Sequence, residues 1–397
     1  MSNEFNSALC KLIHCRIQET PQQRITFAEY MDCVLYHPQQ GYYATGGSQI
    51  GSQGDFFTSP HLGADFGELL AEQFVEMWEI LGYPTPFTLV EMGAGQGLLA
   101  ADILRYLSGR HQACFQALEY IIVEKATGMI AQQQQVLEKL QLDLPGKYRW
   151  ATLEEIAEES IVGCCFSNEL VDAMPVHQII LQKNQLWEIY VTAGSSEDEF
   201  VEVTGELSTP HLAEYFDWVK VKIPSAAYPE GYRTEVNLAA LDWMKTLAQK
   251  LQRGYLLTID YGYESDRFYS PRRDRGTLQC YYRHRHHDNP YLYIGHQDIT
   301  AHVDFTALER QGELCGLHKV GFTQQGLFLM ALGLGDRIAA LSHSSDTNIQ
   351  QVLRRRQALH QLIDPTGLGG FGVLIQSKGE VEGENKRSLK GLSVPKR

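Results

Sequence analysis

No stretch of this sequence approaches the roughly 18 consecutive apolar residues of a membrane-spanning helix, so bilayer insertion is not expected. The opening segment MSNEFNSALCKLIHCRIQE carries acidic residues and has no apolar core of secretory-signal length. It also lacks the Arg- and Ser-rich, acid-poor pattern of an organelle transit peptide. No Cys-x-x-Cys pair occurs among the eight cysteines, at 10, 15, 33, 114, 164, 165, 280 and 315. Scattered thiols argue against a disulfide framework and for a reducing compartment, and a cytoplasmic protein is expected. Positive charge is scarce: 34 Lys and Arg stand against 48 Asp and Glu, a formal net charge of −14. Such a surface repels phosphate backbones, so nucleic acid is not an expected partner. No nucleophile elbow, phosphate-loop lysine or paired-cysteine zinc motif is present, and no metal is expected.

What is present is ordinary globular material. The 397 residues are 44% hydrophobic and 21% charged, enough for a sizeable core. At about 150 residues per domain, that allows two to three units, or one large domain with insertions. Residues 4–36 read as helical. A polar, glycine-rich stretch of about twenty residues, GYYATGGSQIGSQGDFFTSP, follows from Gly41 to Pro60. Ser59 then Pro60 marks a helix start that runs to Leu81, with apolar residues every three to four positions.

Strands and helices then alternate. Strands are expected at Phe87–Met92, Tyr120–Val123 and Ile161–Phe166, with helices at Leu98–Leu107 and Ala126–Leu140 between them. This β-α-β order argues for a parallel sheet covered on both faces. It is interrupted by antiparallel strands over Val176–Val191, with a turn at Lys183–Asn184, and over Phe200–Val203. A helix Val236–Leu251, a strand Gly254–Asp260, a polar loop Glu264–Thr300, helices Phe305–Leu317, Gly326–Leu341 and Ile349–Ile363 and a strand Phe371–Gln376 complete the α/β pattern.

The loop Glu91-Met92-Gly93-Ala94-Gly95-Gln96-Gly97 joins the first core strand to its helix. Glycines let the chain turn tightly and let a ligand approach the backbone. The spacing is G-x-G-x-G, not the G-x-G-x-x-G of dinucleotide binders. Glu91 beside it would repel a pyrophosphate and favour the sulfonium and ammonium of S-adenosylmethionine. Glu124 ends the second strand, where a carboxylate can accept from both ribose hydroxyls. The plainer alternative is a glycine-rich βα turn with Glu124 on the surface.

The blocks HPQQGYY, GDFFTSP, FGELLAEQ, VEMGAGQG, SNELVDAMPVHQ, TIDYGY, RGTLQCYYRH and DITAHVDFTAL occur in that order. Together they resemble the MidA family, whose mitochondrial members are complex I assembly factors acting as protein arginine methyltransferases. The resemblance implies a Rossmann-like class I methyltransferase fold with an N-terminal helical extension and a β-rich insertion. The expected layout is an N-terminal region at 1–84, the catalytic domain at 85–175 and 234–378, the insertion at 176–233 and a disordered tail at 379–397. The implied cofactor is S-adenosylmethionine, held by Glu91, Gly93, Ala94, Gly95, Gly97 and Glu124, with Gly54, Asp55, Thr58 and Ser59. The implied partner is a protein, of the respiratory-complex-subunit kind. Without a transit peptide, a bacterial-type cytoplasmic member is expected.

Asn168 and Glu169 follow a core strand, where ligands of open α/β sheets bind. Glu169 and Asp172, three apart on an expected helical turn, would share a face and could hold a guanidinium through paired charge-assisted bonds. Glu169 is taken as the main guanidinium ligand, Asp172 as its support and Asn168 as a contact to cofactor or acceptor. A polar helix cap at Asn168 with a solvated Asp172 is the alternative. Asp260, at another strand end, is either an acceptor-site residue or a satisfied loop acid. The segment 41–60 is expected to fold over the cofactor, with Thr58 and Ser59 reaching it. The Arg- and His-rich run 281–288 reads as a solvated loop or a lid. A scaffolding protein and a small-molecule methyltransferase are the competing readings of function.

Overall fold

Short apolar runs bounded by glycine and charge become strands buried on both faces, the signature of a parallel sheet under helices. Phe87–Met92 (β1) is buried at all six positions. With it run Leu118–Val123 (β2), Tyr148–Ala151 (β3), Ile161–Asn168 (β4), Leu251–Asp260 (β5), His318–Gln324 (β6) and Gly372–Lys378 (β7). They form one seven-stranded sheet in the order β3-β2-β1-β4-β5-β7-β6. All neighbours are parallel except β7, which is antiparallel to β5 and β6. The order reverses between β1 and β4, which opens a crevice beyond their C-terminal ends.

The computed structural model describes residues 5–44, 58–124, 127–139, 146–283, 285–342, 349–379 and 388–393. The chain divides into two units. The sheet belongs to the unit built from Phe57–Leu170, Met244–Tyr261 and Gln311–Arg397. Its core joins Phe66, Leu70 and Phe74 of the helix Asp65–Ile80 to Leu99, Ile103 and Leu107 of Leu98–Arg110 and to Leu89, Tyr120, Phe166 and Leu257 of the strands. Phe74 and Phe166 pack with ring centroids 4.9 Å apart.

The other unit gathers Met1–Phe56, Val171–Trp243 and Gly262–Arg310. It holds an antiparallel sheet of Ile25–Thr26, Gln185–Ala193, His177–Gln182 and Arg233–Val236, with Phe200–Gly205 also paired to Gln185–Ala193. Lys183 and Asn184 take φ of +51° and +58° in the two-residue turn of its central hairpin, the conformation such turns require. Residues 262–310, expected within the catalytic domain, fall in this second unit.

Several elements differ from the sequence expectations, each for a local reason. The helical stretch 4–36 is two helices, Ser7–Glu19 and Phe27–Tyr36. Thr26 caps the second through a reciprocal capping box with Glu29, which the pattern T-x-x-E could have announced. The helix expected from Ser59 to Leu81 is a short 3-10 turn, Ser59–Leu62, and then Asp65–Ile80. Gly63, at φ +133°, separates them. Gly333, at φ +109°, likewise splits Gly326–Leu341 into Gln325–Leu332 and Leu334–Ser342. The polar loop Glu264–Thr300 contains a three-stranded sheet of Arg285–His287, Gln279–Tyr282 and Asp298–Thr300.

The tail 379–397 is not structureless throughout. Leu389 is buried in the core, and Lys390–Leu392 forms a 3-10 turn. Gly391 N–H donates to Gln73 Oε1 at 2.9 Å and Lys390 N–H to Glu76 Oε2 at 2.8 Å, tying the turn to the helix Asp65–Ile80. Leu389 in the core and Leu392 packed against it are the apolar anchors of this turn.

Candidate active site

Four strand ends of the seven-stranded sheet carry the candidate residues. At the end of β1, Glu91 is buried and its Oε2 accepts from the Tyr120 hydroxyl at 2.6 Å. Burial pushes its carboxyl up to about 7, against the opposing pull of that hydrogen bond. The loop beyond turns on Gly93, Gly95 and Gly97, at φ of +72°, +50° and +81°. All three lie in the left-handed region that glycine enters without penalty. A Cβ on Gly93 would come within 2.9 Å of Leu170 Cδ1, so this loop and the chain leaving β4 are in close contact. Ala94 is buried, and its carbonyl accepts from Gly97 N–H at 2.8 Å. Gly97 then caps the helix Leu98–Arg110 with no side-chain hydrogen bond to its first turn.

At the end of β2, Glu124 is part-buried, and its N–H donates to Ala151 O at 3.2 Å. One residue not singled out from sequence joins these two ends. Gln133, fully buried, donates to Gly95 O at 2.8 Å and to Glu124 Oε2 at 3.3 Å. Its own oxygen accepts from Trp150 Nε1 at 2.7 Å. Tyr120 was also missed; a tyrosine in an apolar strand needs a hydroxyl partner, and that signal was available.

At the end of β4, Glu169 takes φ +53°, an uncommon conformation for a residue with a side chain. Its N–H donates to Ile259 O at 2.9 Å, which holds the bend against β5. Glu169 Oε1 accepts from Ser59 N–H at 3.1 Å and from Asn168 Nδ2 at 3.0 Å. Although the side chain is only part-buried, loss of solvent pushes its carboxyl up to about 8; those bonds oppose the rise and nearby Asp260 adds to it. Asn168 Oδ1 is buried with no hydrogen-bond partner among the described residues.

At the end of β5, Asp260 is fully buried. Its Oδ2 accepts from Leu170 N–H at 3.1 Å and its Oδ1 from Tyr261 N–H at 2.8 Å. Both oxygens therefore hold backbone at the strand ends. Ser59 does not cap a helix. Its buried hydroxyl meets the Gln325 side-chain amide at 3.2 Å, and its N–H meets Glu169. Thr58 Oγ1 lies 2.6 Å from His61 Nδ1.

Gly54 and Asp55, with most of the 41–60 segment, lie outside the described residues. Asp172 belongs to the other unit, on the turn Val171–Ala173, where its backbone carbonyl accepts from Ala301 N–H at 2.8 Å. The shared helical face expected for Glu169 and Asp172 does not form, because Glu169 is in the left-handed region and outside that turn. In the Arg- and His-rich run, Tyr282, on a strand paired with Arg285–His287, stacks on Tyr293 at 3.9 Å. Among the described residues, no group of three or more His, Cys, Asp or Glu could hold a metal ion.

Residues 69–323 match the family model described as "Putative S-adenosyl-L-methionine-dependent methyltransferase". The chain belongs to this family. The methyltransferase is 30% identical over 92% of its length to the mitochondrial protein arginine methyltransferase NDUFAF7 homolog of Drosophila melanogaster, 83% of which is covered. It is 29% identical to human mitochondrial protein arginine methyltransferase NDUFAF7, with 87% and 78% of the two chains covered. Its structure is similar, at TM-score 0.86 and 31% identity, to a "likely methyl transferase from Burkholderia thailandensis bound to S-adenosyl-homocysteine". That likeness covers 98% of this chain and 95% of the other. The sheet is thus that of a class I methyltransferase, and all four strand-end acids lie within the matched residues of the methyltransferase. No helix among the described residues is long and apolar enough to cross a membrane.

Proposed function

We propose that the enzyme transfers a methyl group from S-adenosylmethionine to an arginine side chain of a protein partner. The carrying observation is Glu169: one carboxylate oxygen is anchored by Ser59 N–H and Asn168, and no hydrogen bond to the other is formed among the described residues. The names of the relatives support the same acceptor. The residues present fit the cofactor. Left-handed Gly93, Gly95 and Gly97 shape the loop backbone that would approach it, Glu124 suits its ribose, and the buried Asn168 Oδ1 lacks a donor that a ligand ammonium or guanidinium would provide. Gly93, Gly95, Gly97, Glu91, Ala94, Glu124 and Asn168 would hold it, with Thr58 and Ser59 beside Glu169. Bound there, S-adenosylmethionine supplies a methyl group on a sulfonium, an excellent leaving group.

The protein then has to orient the acceptor. A guanidinium is planar and its lone pair is delocalised, so its plane must be fixed and its charge drawn toward one side. Glu169 Oε2 can do both, and with a carboxyl near 8 it can take up or release a proton close to neutral pH. The test is incubation with methyl-labelled cofactor and cell lysate, followed by mapping of the labelled proteins. Label on arginine of a defined protein, of the respiratory-subunit kind, is the expected outcome. Label on lysine or glutamine overturns the acceptor, and no incorporation favours a scaffolding role.

Cofactor binding should depend on pH through Glu91. With its carboxyl raised to about 7, the free protein binds a proton there below that pH. A cationic ligand favours the ionised form, so the sulfonium ligand gains affinity as pH rises through 7. S-adenosylhomocysteine, lacking the sulfonium, gains less. Titrations of both ligands at pH 6 and pH 8 should show the affinity ratio moving several-fold toward S-adenosylmethionine, and Glu91→Gln should abolish the change. An unchanged ratio in the unsubstituted protein removes Glu91 from this role. All eight cysteines are free, which favours a reducing compartment; we read that compartment as the cytoplasm, although the curated relatives are named mitochondrial. Cell fractionation against matrix and cytosolic markers checks it.

A further inference from the structure

We infer that Gln133 is a positioning residue that sets the Glu124 carboxylate for the cofactor ribose and locks the glycine loop in the same step. The inference rests on the cofactor reading above and assigns it a residue. Gln133 stands in a run of four glutamines, Gln132 to Gln135. The other three are exposed, and only Gln133 is buried, at 0% exposure. Its amide makes three bonds and cannot be turned over. The nitrogen donates to Gly95 O and Glu124 Oε2, both pure acceptors, and the oxygen accepts from the Trp150 indole N–H, a pure donor. A reversed amide would face acceptor to acceptor and donor to donor at all three contacts. Trp150, from β3, therefore fixes the orientation of an amide that in turn fixes groups at the ends of β1 and β2.

Packing agrees with the hydrogen bonds. A Cβ on Gly97 would meet the Gln133 Cγ, Cα and Cβ at 3.2–3.3 Å, so the loop lies directly on this side chain. One amide thus joins the backbone that the cofactor approaches to the acid suited to its ribose. Glu124 Oε2 is held by Gln133, which directs the carboxylate. Simple core filling would need only an apolar side chain here. A buried amide whose every polar atom is matched is a costly substitute unless its direction matters.

The test compares binding of S-adenosylhomocysteine with binding of its 2′,3′-dideoxyribose analogue, by calorimetry on the full chain. The unsubstituted protein should prefer the ribose ligand by about tenfold or more, the scale of hydrogen bonds to a charged group. Gln133→Glu turns the donor into an acceptor facing Glu124, and should reduce that preference to about onefold. Gln133→Leu, close in size, guards against a Gln133→Glu protein that does not fold, and should also lose the preference. Glu124→Ala should abolish it alone, and adding Gln133→Leu should then change nothing further, because the two act through one contact. Tryptophan emission gives a second readout: ligand binding should shift it in the unsubstituted protein, and Trp150→Phe should remove that shift. Equal weakening of both ligands by Gln133→Leu, with the preference intact, would reduce Gln133 to a packing residue and overturn the inference. Failure of the unsubstituted protein to bind S-adenosylhomocysteine at all would instead sink the cofactor reading and this inference with it.

Discussion

Glu169→Gln is expected to lower methyl transfer by about 100-fold or more while cofactor affinity stays nearly unchanged. The geometry makes this substitution unusually clean. Both anchoring bonds, from Ser59 N–H and Asn168 Nδ2, go to the same oxygen, which a glutamine carbonyl can replace. Only the second oxygen changes, from an acceptor that can ionise to an NH2 donor that would oppose a guanidinium. Rate and pH profile should change together. The carboxyl of the empty site, raised to about 8, is mainly neutral at pH 7. Docking a cation must ionise it, so the KM for the protein acceptor should fall as pH rises from 7 to 9, and Glu169→Gln should flatten that dependence. Kinetics with the mapped acceptor at several pH values decide it. Normal transfer by Glu169→Gln would falsify the assignment of Glu169 as guanidinium ligand.

Gly95→Val should weaken S-adenosylhomocysteine binding by at least about 100-fold. Two penalties combine. At φ +50° a residue with a Cβ costs about 1–2 kcal/mol, and a β-branched one is a real outlier. On the proposed cofactor reading, the branched side chain would also crowd the loop that the ligand approaches. Gly95→Ala separates them, since it carries the backbone penalty with one methyl group and should fall in between. Gly93 is the less informative position, because a Cβ there meets Leu170 and a change would disturb folding as well. Calorimetry with S-adenosylhomocysteine and with NAD measures the outcome. An unaltered titration in Gly95→Val, or tight NAD binding by the unsubstituted protein, overturns the reading of this loop.

The parts of the fold that could be read in the sequence are those where burial is symmetric. Phe87–Met92 and Gly254–Asp260 are apolar runs because both sheet faces are covered, and the structure has strands there. Edge strands are different. Among the described residues, Tyr148–Ala151 pairs on one side only, and it carries an exposed Arg149, so it has no apolar signature. The strands of 279–300 are short and rich in Arg, His and Tyr, with only single buried apolar positions such as Cys280 and Ile299, so no hydrophobic pattern marks them. Gly63 and Gly333 broke helices that periodicity had run together, since a period says nothing about one residue's φ. In the site, the glycine loop and the strand-end acids were legible because chemistry and spacing coincide there. Gln133 was not: four identical neighbours look alike until the helix Thr127–Glu138 turns one of them inward. The Glu169–Ser59 bond joins positions 110 apart, which no local pattern carries.

The place of β7 has a consequence for how this chain is made. Residues 372–378 sit between β5 and β6, and among the described residues β6 has no other strand partner in the sheet. While the ribosome is still producing the chain, β1 to β5 can pair as they emerge, but β6 must wait with its N–H and C=O groups unmatched. The sheet closes only after residues 372–378 have been synthesised. A nascent chain stalled before residue 372 would therefore expose the open edges of β5 and β6, a template for pairing with a neighbouring copy.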